Sequence, residues 1–325
     1  MTDTNSTLSP ADAAVLLLDG HYELQALTPE VSPRRYFRPV LADGVKSVDA
    51  IAGATDSPPQ WLVVLSAAAA PQATTAFLSG LGVRVPRLGK CIDGAYLVED
   101  LGDQHLVHAP TVAHYHQLLE SWRLLSVAQL PAKHPNRAMA LDMKLFDFEL
   151  GMFRDSYLTD YRGLSMSAAE LGAVNDSIEE LAALASAGPQ CLQHRDFHSR
   201  NILLPTNGVA AWIDHQDLRI GPIFYDLASL YTDAYAALPD EVYELLRNYV
   251  TPLGADFGMD AEASEERFLL TALQRVLKAL GTFGKVLAAG RSDFQNAESQ
   301  ARLLALALLD QLAIYPELRK LISQT

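Results

Sequence analysis

The sequence predicts an α+β protein of two lobes, a small β-rich lobe over residues 1–100 and a large helical lobe over residues 101–325. A chain of 325 residues is long for one compact core, so two units are expected. Short apolar runs between Gly, Pro and Asp residues indicate strands in the first hundred residues. From Thr111 onward, apolar residues recur at helical spacing instead.

Four segments of the first lobe have the composition of short strands. They carry Tyr, Phe or Val and are bounded by turn-forming residues, and they read HYELQAL, RRYFRPV, VKSVDAI and AYLVED. Between the last two, the segment WLVVLSAAAAPQATTAFLSGL is predicted to be a helix, interrupted or offset at Pro71. Strands on both sides of one helix are typical of a small mixed lobe.

The second lobe is predicted to be helical because its apolar residues repeat with a period near 3.6. Gly188 and Pro189 end one of these helices, and a loop with a hairpin then occupies residues 190–231. The helical segments read VAHYHQLLESWRLLSVAQL, MKLFDFELGMFRDSYL, SAAELGAVNDSIEELAALASAG, DEVYELLRNYV, RFLLTALQRVLKALGTFGKVLAAG and ESQARLLALALLDQLAIY.

The composition argues against several classes of protein. The formal net charge of −14 argues against nucleic-acid binding, which requires a basic surface. The two cysteines, Cys91 and Cys191, have no zinc-binding spacing. The N-terminal residues lack a signal-peptide pattern, and no apolar run is long enough to cross a bilayer. We therefore expect a cytoplasmic protein that has no membrane association and no obligate protein partner.

The segment HRDFHSRNILLPTNGVAAWID, residues 194–214, holds the most informative pattern of polar residues. Asp196 and Asn201 lie five residues apart on one short loop. Asn207–Gly208 favours a tight hairpin turn, because both residues tolerate positive φ. A hairpin returns the chain to its starting point, so we expect Asp214 to lie close to Asn201.

These three side chains suit phosphoryl transfer. Asn201 and Asp214 supply the hard oxygen ligands that Mg²⁺ prefers, while Asp196 can accept a proton from an acceptor hydroxyl. Each residue taken alone is equally explained as a turn, a cap or a strand end. The combination of loop, hairpin and terminal aspartate favours the catalytic interpretation.

The same segments resemble known kinases. HRDFHSRN followed by ID resembles the catalytic and metal-binding loops of protein kinases, and IDHQDLRIGPIFYDLASL is similar to the aminoglycoside phosphotransferase and choline kinase superfamily. The chain is also similar to the anomeric amino-sugar kinases of peptidoglycan recycling. That resemblance is carried by these segments together with others that occur in the same order, namely RRYFR, LVEDLGD, FELGMFRDSYL and QRVLKALGTFGKV. That resemblance spans roughly residues 30–290. Those kinases phosphorylate N-acetylmuramate and N-acetylglucosamine at the anomeric hydroxyl.

The resemblance implies a bilobal protein-kinase-like fold with ATP between the lobes and a small-molecule acceptor. It implies that Asp196 is the catalytic base and that Asn201 and Asp214 hold Mg²⁺. It also implies that Asp226 braces the catalytic loop, although Asp226 could equally cap a helix.

For the nucleotide, the resemblance implies that the backbone at Glu99 and Leu101 binds the adenine edge. Residues 33–37 would replace the glycine-rich loop over the phosphates. No GxGxxG motif is present, so Arg34 and Arg35, with Arg38, could compensate electrostatically or could simply be solvated. Lys46 is the nearest strand lysine that could reach the phosphates.

The remaining polar residues in and near the loop have one or two expected roles from sequence. We expect His194 to shape the loop through a hydrogen bond and His198 to face the acceptor. Arg200 could stabilise the charge of the transferred phosphate or pair with an aspartate. Gln216 and Asp217 could contact sugar hydroxyls or act as caps. His215, which stands where protein kinases have Phe, is expected to be packed.

Three functional hypotheses remain open at this point. An N-acetylmuramate kinase needs a cation for the lactyl carboxylate, and Arg275 or Lys278 are candidates. An aminoglycoside or choline-type kinase needs an acidic or aromatic pocket for a cationic acceptor. The acidic residues to examine for that hypothesis are Asp147, Glu149, Asp155 and Asp160. A nucleotide-binding pseudokinase is the third hypothesis, against which the intact Asp196, Asn201 and Asp214 count.

Overall fold

The structure is a computed structural model that describes residues 8–18, 22–27, 34–41, 61–206 and 208–324. Its internal contacts divide the chain into two compact units. The first comprises Met1–Gln104 with Leu203–Gln216, and the second comprises His105–Ile202 with Asp217–Thr325. The assignment of nucleotide binding to one lobe and catalysis to the other stays a prediction.

The first unit contains a five-stranded antiparallel sheet with strand order β1-β2-β3-β5-β4. On one face of the sheet, Val63 and Leu97 pack with Ala13 and Leu17 of a short helix in a buried apolar cluster. The elements of this unit are α1 (Pro10–Leu17), β1 (Tyr22–Ala26), β2 (Arg35–Leu41), β3 (Trp61–Leu65), α2 (Gln72–Gly80), β4 (Leu88–Ile92) and β5 (Ala95–Glu99).

One predicted element of this unit was wrong. The segment predicted as a helix begins with a strand, β3, and the helix α2 starts only after Pro71. β3 pairs with β2 on one side and β5 on the other, and its two central valines suit a buried strand. The predicted strand VKSVDAI, which contains Lys46, and the turn residue Asn207 lie outside the described residues.

Helices make up most of the second unit. They are α3 (Val112–Ser126), α4 (Met143–Met152), a π-helix (Phe153–Tyr161), α5 (Ala168–Ser186), α6 (Tyr225–Tyr231), α7 (Asp240–Asn248), α8 (Val250–Asp256), α9 (Ala261–Ala288), α10 (Gln295–Leu312) and α11 (Pro316–Ser323). None of the helices among the described residues is long and apolar enough to cross a membrane.

The 28-residue helix α9 is fixed against the π-helix by two glycines. A Cβ on Gly281 would lie 2.8 Å from the backbone nitrogen of Phe153, and one on Gly284 would lie 2.6 Å from the Cα of Tyr157. Only glycine allows two backbones to approach this closely. The middle of α9 is therefore held in a fixed position, which matters for the charged residues one turn earlier.

Short strands frame the central loop. β6 (Gln190–Gln193) pairs antiparallel with β9 (Arg219–Pro222). Strands β7 (Ile202–Leu203) and β8 (Ala211–Trp212) form a separate two-stranded sheet. Single 3₁₀ turns occur at Leu106–His108, Pro135–Ala138, Ser199–Asn201, His215–Asp217 and Ser292–Phe294.

Candidate active site

The loop that follows β6 makes a sharp turn at Arg195, whose φ is 83°. A residue with a side chain pays a conformational cost in this left-handed region, and surrounding contacts must enforce it. Here the enforcing group is Asp226 on α6, which is fully buried. Its carboxylate accepts hydrogen bonds from the backbone N–H of His194 at 2.6 Å and of Arg195 at 3.0 Å. Trp122 Nε1 also donates to Asp226, at 3.2 Å.

Burial raises the pKa of Asp226 to about 7, although the backbone N–H groups of His194 and Arg195 act to lower it. Its carboxylate accepts hydrogen bonds from two backbone N–H groups of the loop and from the buried indole of Trp122. The geometry therefore suits the bracing role that the resemblance implies for Asp226.

The far end of the loop is held by two residues that the sequence analysis did not single out for this purpose. Asp233 Oδ2 accepts a hydrogen bond from the backbone N–H of Ser199 at 2.6 Å. The Nδ1 atom of His105 lies 2.6 Å from the carbonyl oxygen of Arg200. Both ends of the loop are thus held by side chains of the same unit.

Inside the loop, Asn201 closes the turn back onto Asp196. Its Nδ2 donates to the backbone carbonyl of Asp196 at 2.8 Å, and the residue is 4% exposed. Because the amide nitrogen is engaged, the Oδ1 atom is the part of Asn201 that can act as a ligand.

Asp196 carries the partly exposed carboxylate of this loop, and its side chain is 30% exposed. Lys278 of α9 donates to Asp196 Oδ1 at 3.1 Å. Burial acts to raise the pKa of Asp196, but the charges of Lys278 and Arg195 outweigh it and hold that pKa well below its usual value. Asp196 is therefore an ionised hydrogen-bond acceptor at neutral pH.

The buried carboxylate of Glu149, on α4, lies next to the ion pair of Lys278 and Asp196. Its Oε1 is 3.8 Å from Lys278 Nζ and 3.7 Å from Arg195 NH2. Gln274 Nε2 donates to its Oε2 at 3.1 Å. Burial lowers the pKa of Lys278, with a further contribution from the charge of Arg275. The two carboxylates, Glu149 and Asp196, act in the opposite direction and favour the charged lysine.

Asp217, a predicted substrate contact, pairs with arginines in this structure. Arg195 NH1 donates to one of its oxygens, and Arg219 NH2 lies 3.3 Å from the other. The Asp217 side chain is 21% exposed. A contact between Asp217 and a sugar stays a prediction, and it would use a carboxylate that two guanidinium groups already orient.

Arg275 is buried and has structural partners. Its Nε donates to Ser229 Oγ at 2.7 Å and its NH1 to the Tyr225 hydroxyl at 2.5 Å. The guanidinium also stacks 4.4 Å from the centre of the Tyr225 ring. Arg275 thus joins α9 to α6, which leaves Lys278 as the more exposed of the two cations considered for an acceptor carboxylate.

Arg200 and His198 share an aromatic neighbour. The guanidinium of Arg200 lies 4.2 Å from the centre of the Tyr235 ring and 5.7 Å from that of Phe294. The His198 ring lies 5.2 Å from the Tyr235 ring. Such cation–π contacts hold a guanidinium in one place. The roles of Arg200 at the phosphate and of His198 at the acceptor stay predictions.

In the first unit, polar side chains gather at Asp214, which has a φ of 56°. Arg34 NH1 lies 3.2 Å from Asp214 Oδ1, and Gln216 Nε2 donates to the same oxygen at 2.8 Å. Gln216 is thus hydrogen-bonded to Asp214, the predicted metal ligand. The adjacent His215 is 5% exposed, and its Nε2 lies 2.9 Å from Thr75 Oγ1. This is the packed histidine that the sequence analysis expected.

The segment over residues 99–104, here called the connector, leads from the end of β5 to the end of the first stretch of this unit, and it is held by arginines at Glu99. The Glu99 carboxylate accepts from Arg84 NH2 at 2.8 Å and from Arg87 NH2 at 3.1 Å. Its backbone N–H donates to the carbonyl of Arg87 at 2.9 Å. Binding of the adenine edge at Glu99 and Leu101 would therefore use the remaining backbone groups of the connector.

The basic residues near the start of β2 have different surroundings. Arg38 binds Asp100 through Nε at 2.5 Å and Asp103 through NH2 at 2.9 Å, so it ties β2 to the connector. Arg35 is exposed, and its guanidinium lies 5.9 Å from the centre of the Phe37 ring. Of the three arginines, Arg34 is the one paired with the predicted metal ligand.

Comparison with known families identifies the class of protein. A model described as the phosphotransferase enzyme family matches residues 26–262. The chain belongs to this family, and the prediction of a phosphotransferase is confirmed.

The N-acetylmuramate/N-acetylglucosamine kinase of Pseudomonas aeruginosa is 29% identical over 217 residues, which cover 64% of this chain and 63% of that relative. A protein with the same name from Neisseria meningitidis serogroup B is 28% identical over 276 residues, covering 82% of this chain and 79% of the relative. The matched part of the chain thus spans somewhat less than two thirds of the P. aeruginosa protein. The predicted resemblance to this group is confirmed.

Solved structures with a similar fold include a choline/ethanolamine kinase family protein from Mesorhizobium loti, with a TM-score of 0.56, 15% identity and 93% of both chains covered. Choline kinase LicA from Streptococcus pneumoniae has a TM-score of 0.57 and 12% identity, covering 92% of this chain and 96% of its own. At these identities the likeness concerns the fold alone. It confirms the predicted α+β, kinase-like fold class.

Proposed function

We propose that this protein is an ATP- and Mg²⁺-dependent kinase that phosphorylates the anomeric hydroxyl of an N-acetylated amino sugar in the cytoplasm. The observation that carries the proposal is the fixed loop around Asp196, in which an ionised carboxylate is held at a partly exposed position. The shared name of the P. aeruginosa and N. meningitidis relatives supports the choice of acceptor.

Each of the two predicted ligands has a side chain whose chemistry suits a magnesium ion. Asn201 offers a carboxamide oxygen, and Asp214 offers a carboxylate that already accepts hydrogen bonds from Arg34 and Gln216. Oxygen ligands of this kind, few in number, suit Mg²⁺ that is also bound to phosphates and water. When bound, the ion would neutralise charge on the phosphates. Arg34 would then have to leave Asp214, and its guanidinium could pair with a phosphate oxygen instead.

The role of Asp196 follows from its chemistry. Its carboxylate would accept a hydrogen bond from the anomeric hydroxyl and orient that oxygen towards the γ-phosphorus of ATP. The new oxygen–phosphorus bond forms as the bond to the β,γ-bridging oxygen breaks, and the electron pair of the broken bond leaves with ADP. The hydroxyl proton passes to Asp196.

The surroundings of the acidic residues count against a cationic acceptor. Glu149 is buried and already faces Lys278 and Arg195, and Asp155 pairs with Arg154. Asp147 and Asp160 are exposed. These four residues therefore do not combine into an acidic pocket of the kind that an aminoglycoside or choline needs. The ordered loop with its ionised Asp196 likewise counts against a pseudokinase.

The proposal is tested by measuring ATP consumption by the purified protein with Mg²⁺. The acceptor panel holds N-acetylmuramate, N-acetylglucosamine, the methyl glycoside of N-acetylglucosamine, kanamycin and choline. We expect turnover with the two free amino sugars and none with the methyl glycoside, whose anomeric oxygen is blocked. Turnover on kanamycin or choline alone would show that the acceptor is a cationic compound and not an N-acetylated amino sugar. Nucleotide binding without turnover on any acceptor would support the pseudokinase.

A further inference from the structure

We propose that Lys278 is a positioning residue for the phosphoryl-transfer step, and that it holds Asp196 so that one carboxylate oxygen stays available to the acceptor hydroxyl. This inference rests on the proposed function, because it requires Asp196 to be the base. It differs from the role suggested by sequence, in which Lys278 would bind a carboxylate of the acceptor.

A hydrogen bond joins Lys278 directly to Asp196. Lys278 Nζ donates to Oδ1 of Asp196 at 3.1 Å, and the two side chains are 17% and 30% exposed. A bond from an ammonium to a carboxylate is charge-assisted and fixes the carboxylate more firmly than a neutral donor does. With Oδ1 engaged, Oδ2 is the oxygen left to receive the acceptor proton.

The helix that carries the lysine is constrained by its packing. Lys278 lies in the middle of α9, one turn before Gly281, where the helix backbone packs directly on the π-helix. Arg275, one turn earlier, is bonded to Ser229 and Tyr225 of α6. A cation carried by so constrained a helix can place a reacting group precisely.

Carboxylates already balance the charge of the Lys278 ammonium. Glu149 Oε1 lies 3.8 Å from Lys278 Nζ, on a residue that is 4% exposed. Two carboxylates therefore already face one lysine, which offsets the cost of burying it. A third carboxylate, from a substrate, would be repelled by Glu149 and Asp196 at this position. The geometry therefore favours positioning of Asp196 over recognition of an acidic acceptor.

Lys278 exchanges no proton in this scheme. The acceptor oxygen bonds to the γ-phosphorus, the bond to the bridging oxygen breaks with its electron pair on ADP, and the acceptor proton moves to Asp196 Oδ2. Lys278 keeps its bond to Oδ1 throughout. Since it acts through Asp196, its loss should lower the rate of the step on every acceptor alike.

The test compares Lys278→Met and Lys278→Arg with a matched control, Lys285→Met, which changes an exposed lysine on the same helix. Each variant is assayed with N-acetylmuramate, which carries a lactyl carboxylate, and with N-acetylglucosamine, which does not. We expect Lys278→Met to lower kcat about 100-fold on both acceptors, with KM for each substrate within about threefold of wild type. Lys278→Arg should recover most of that loss, and Lys285→Met should match the wild-type protein.

A rise in KM for N-acetylmuramate alone would assign Lys278 to the acceptor carboxylate and overturn the inference, as would an unchanged kcat in Lys278→Met. If the methionine variant does not fold in a thermal melt, Lys278→Arg decides the question. Positioning then requires equal fractional changes in kcat on the two acceptors, and unequal changes would contradict it. Absence of turnover by the wild-type protein on both sugars would instead overturn the proposed function, with this inference.

Discussion

Asp196 and Asp214 are two acidic residues at sharp turns of the chain, and each is paired with a cation, but the cations are held very differently. Lys278 comes from the middle of the 28-residue helix α9 and has a second carboxylate, Glu149, beside it. Arg34 lies just before β2 and pairs with Asp214. The first pair is built into a rigid frame, whereas the second joins the ends of two short segments.

The difference indicates that the carboxylates of Asp196 and Asp214 have different roles in the reaction. A carboxylate that must keep one geometry through the reaction benefits from a partner that does not move. A carboxylate that must take up a metal ion needs a partner that can leave, because the same oxygen cannot serve both. We therefore expect Lys278 to remain on Asp196 and Arg34 to exchange its partner when Mg²⁺ and nucleotide bind.

The largest expected effect is that of Asp196→Asn. This nearly isosteric change removes the negative charge and the capacity to take a proton, so kcat should fall about 1,000-fold. Steady-state turnover with N-acetylglucosamine measures the change, and Asp155→Asn on an exposed helical surface serves as the control. Retention of more than a tenth of wild-type kcat would show that Asp196 is not the base.

Asp226→Asn should separate bracing from chemistry. The asparagine amide has only one acceptor oxygen. The backbone N–H of either His194 or Arg195 would then face another donor or lose its hydrogen-bond acceptor. An unsatisfied buried donor costs about 2 kcal/mol. We expect a lower free energy of unfolding in a denaturant titration together with a kcat reduced about 100-fold. Asp196→Asn also loses stability, through the missing charge opposite Lys278, but it should show the larger loss of kcat. A stable but inactive Asp226→Asn protein would contradict the bracing role.

A smaller effect is expected from Arg34→Gln. If the guanidinium moves from Asp214 to a phosphate, its loss should raise KM for ATP about tenfold and weaken Mg·ADP binding in calorimetry, with kcat changed less. Arg319→Gln on the exposed surface of α11 controls for the lost charge. An unchanged affinity for nucleotide would show that Arg34 serves only to hold Asp214 in this state.

Sequence reasoning found what is encoded locally. The loop around Asp196 and the packed His215 lie within one short stretch of chain, where spacing predicts local geometry. The bracing role of Asp226 was implied by the family resemblance and stays a prediction. The strand β3 was missed because a short apolar run has no period that separates strand from helix. Its pairing with β2 and β5 decided the outcome.

The partners of these residues could not be predicted, because they come from distant parts of the sequence. Glu149, Lys278 and Asp196 meet through the packing of α4, α9 and the loop, and no local pattern signals that contact. Arg38 likewise looked available to phosphates until the structure paired it with Asp100 and Asp103. An apolar helix that carries one lysine near two glycines, as in VLKALGTFG, was the available signal for Lys278.

The most direct test of the account is the chemical identity of the product. Wild-type protein is incubated with ATP, Mg²⁺ and N-acetylglucosamine, and the product is examined by proton and phosphorus NMR. We expect a phosphate ester whose phosphorus is coupled to the anomeric proton, and no such signal from Asp196→Asn. A phosphate on any other hydroxyl of the sugar, or an equal yield from the Asp196→Asn protein, would contradict it.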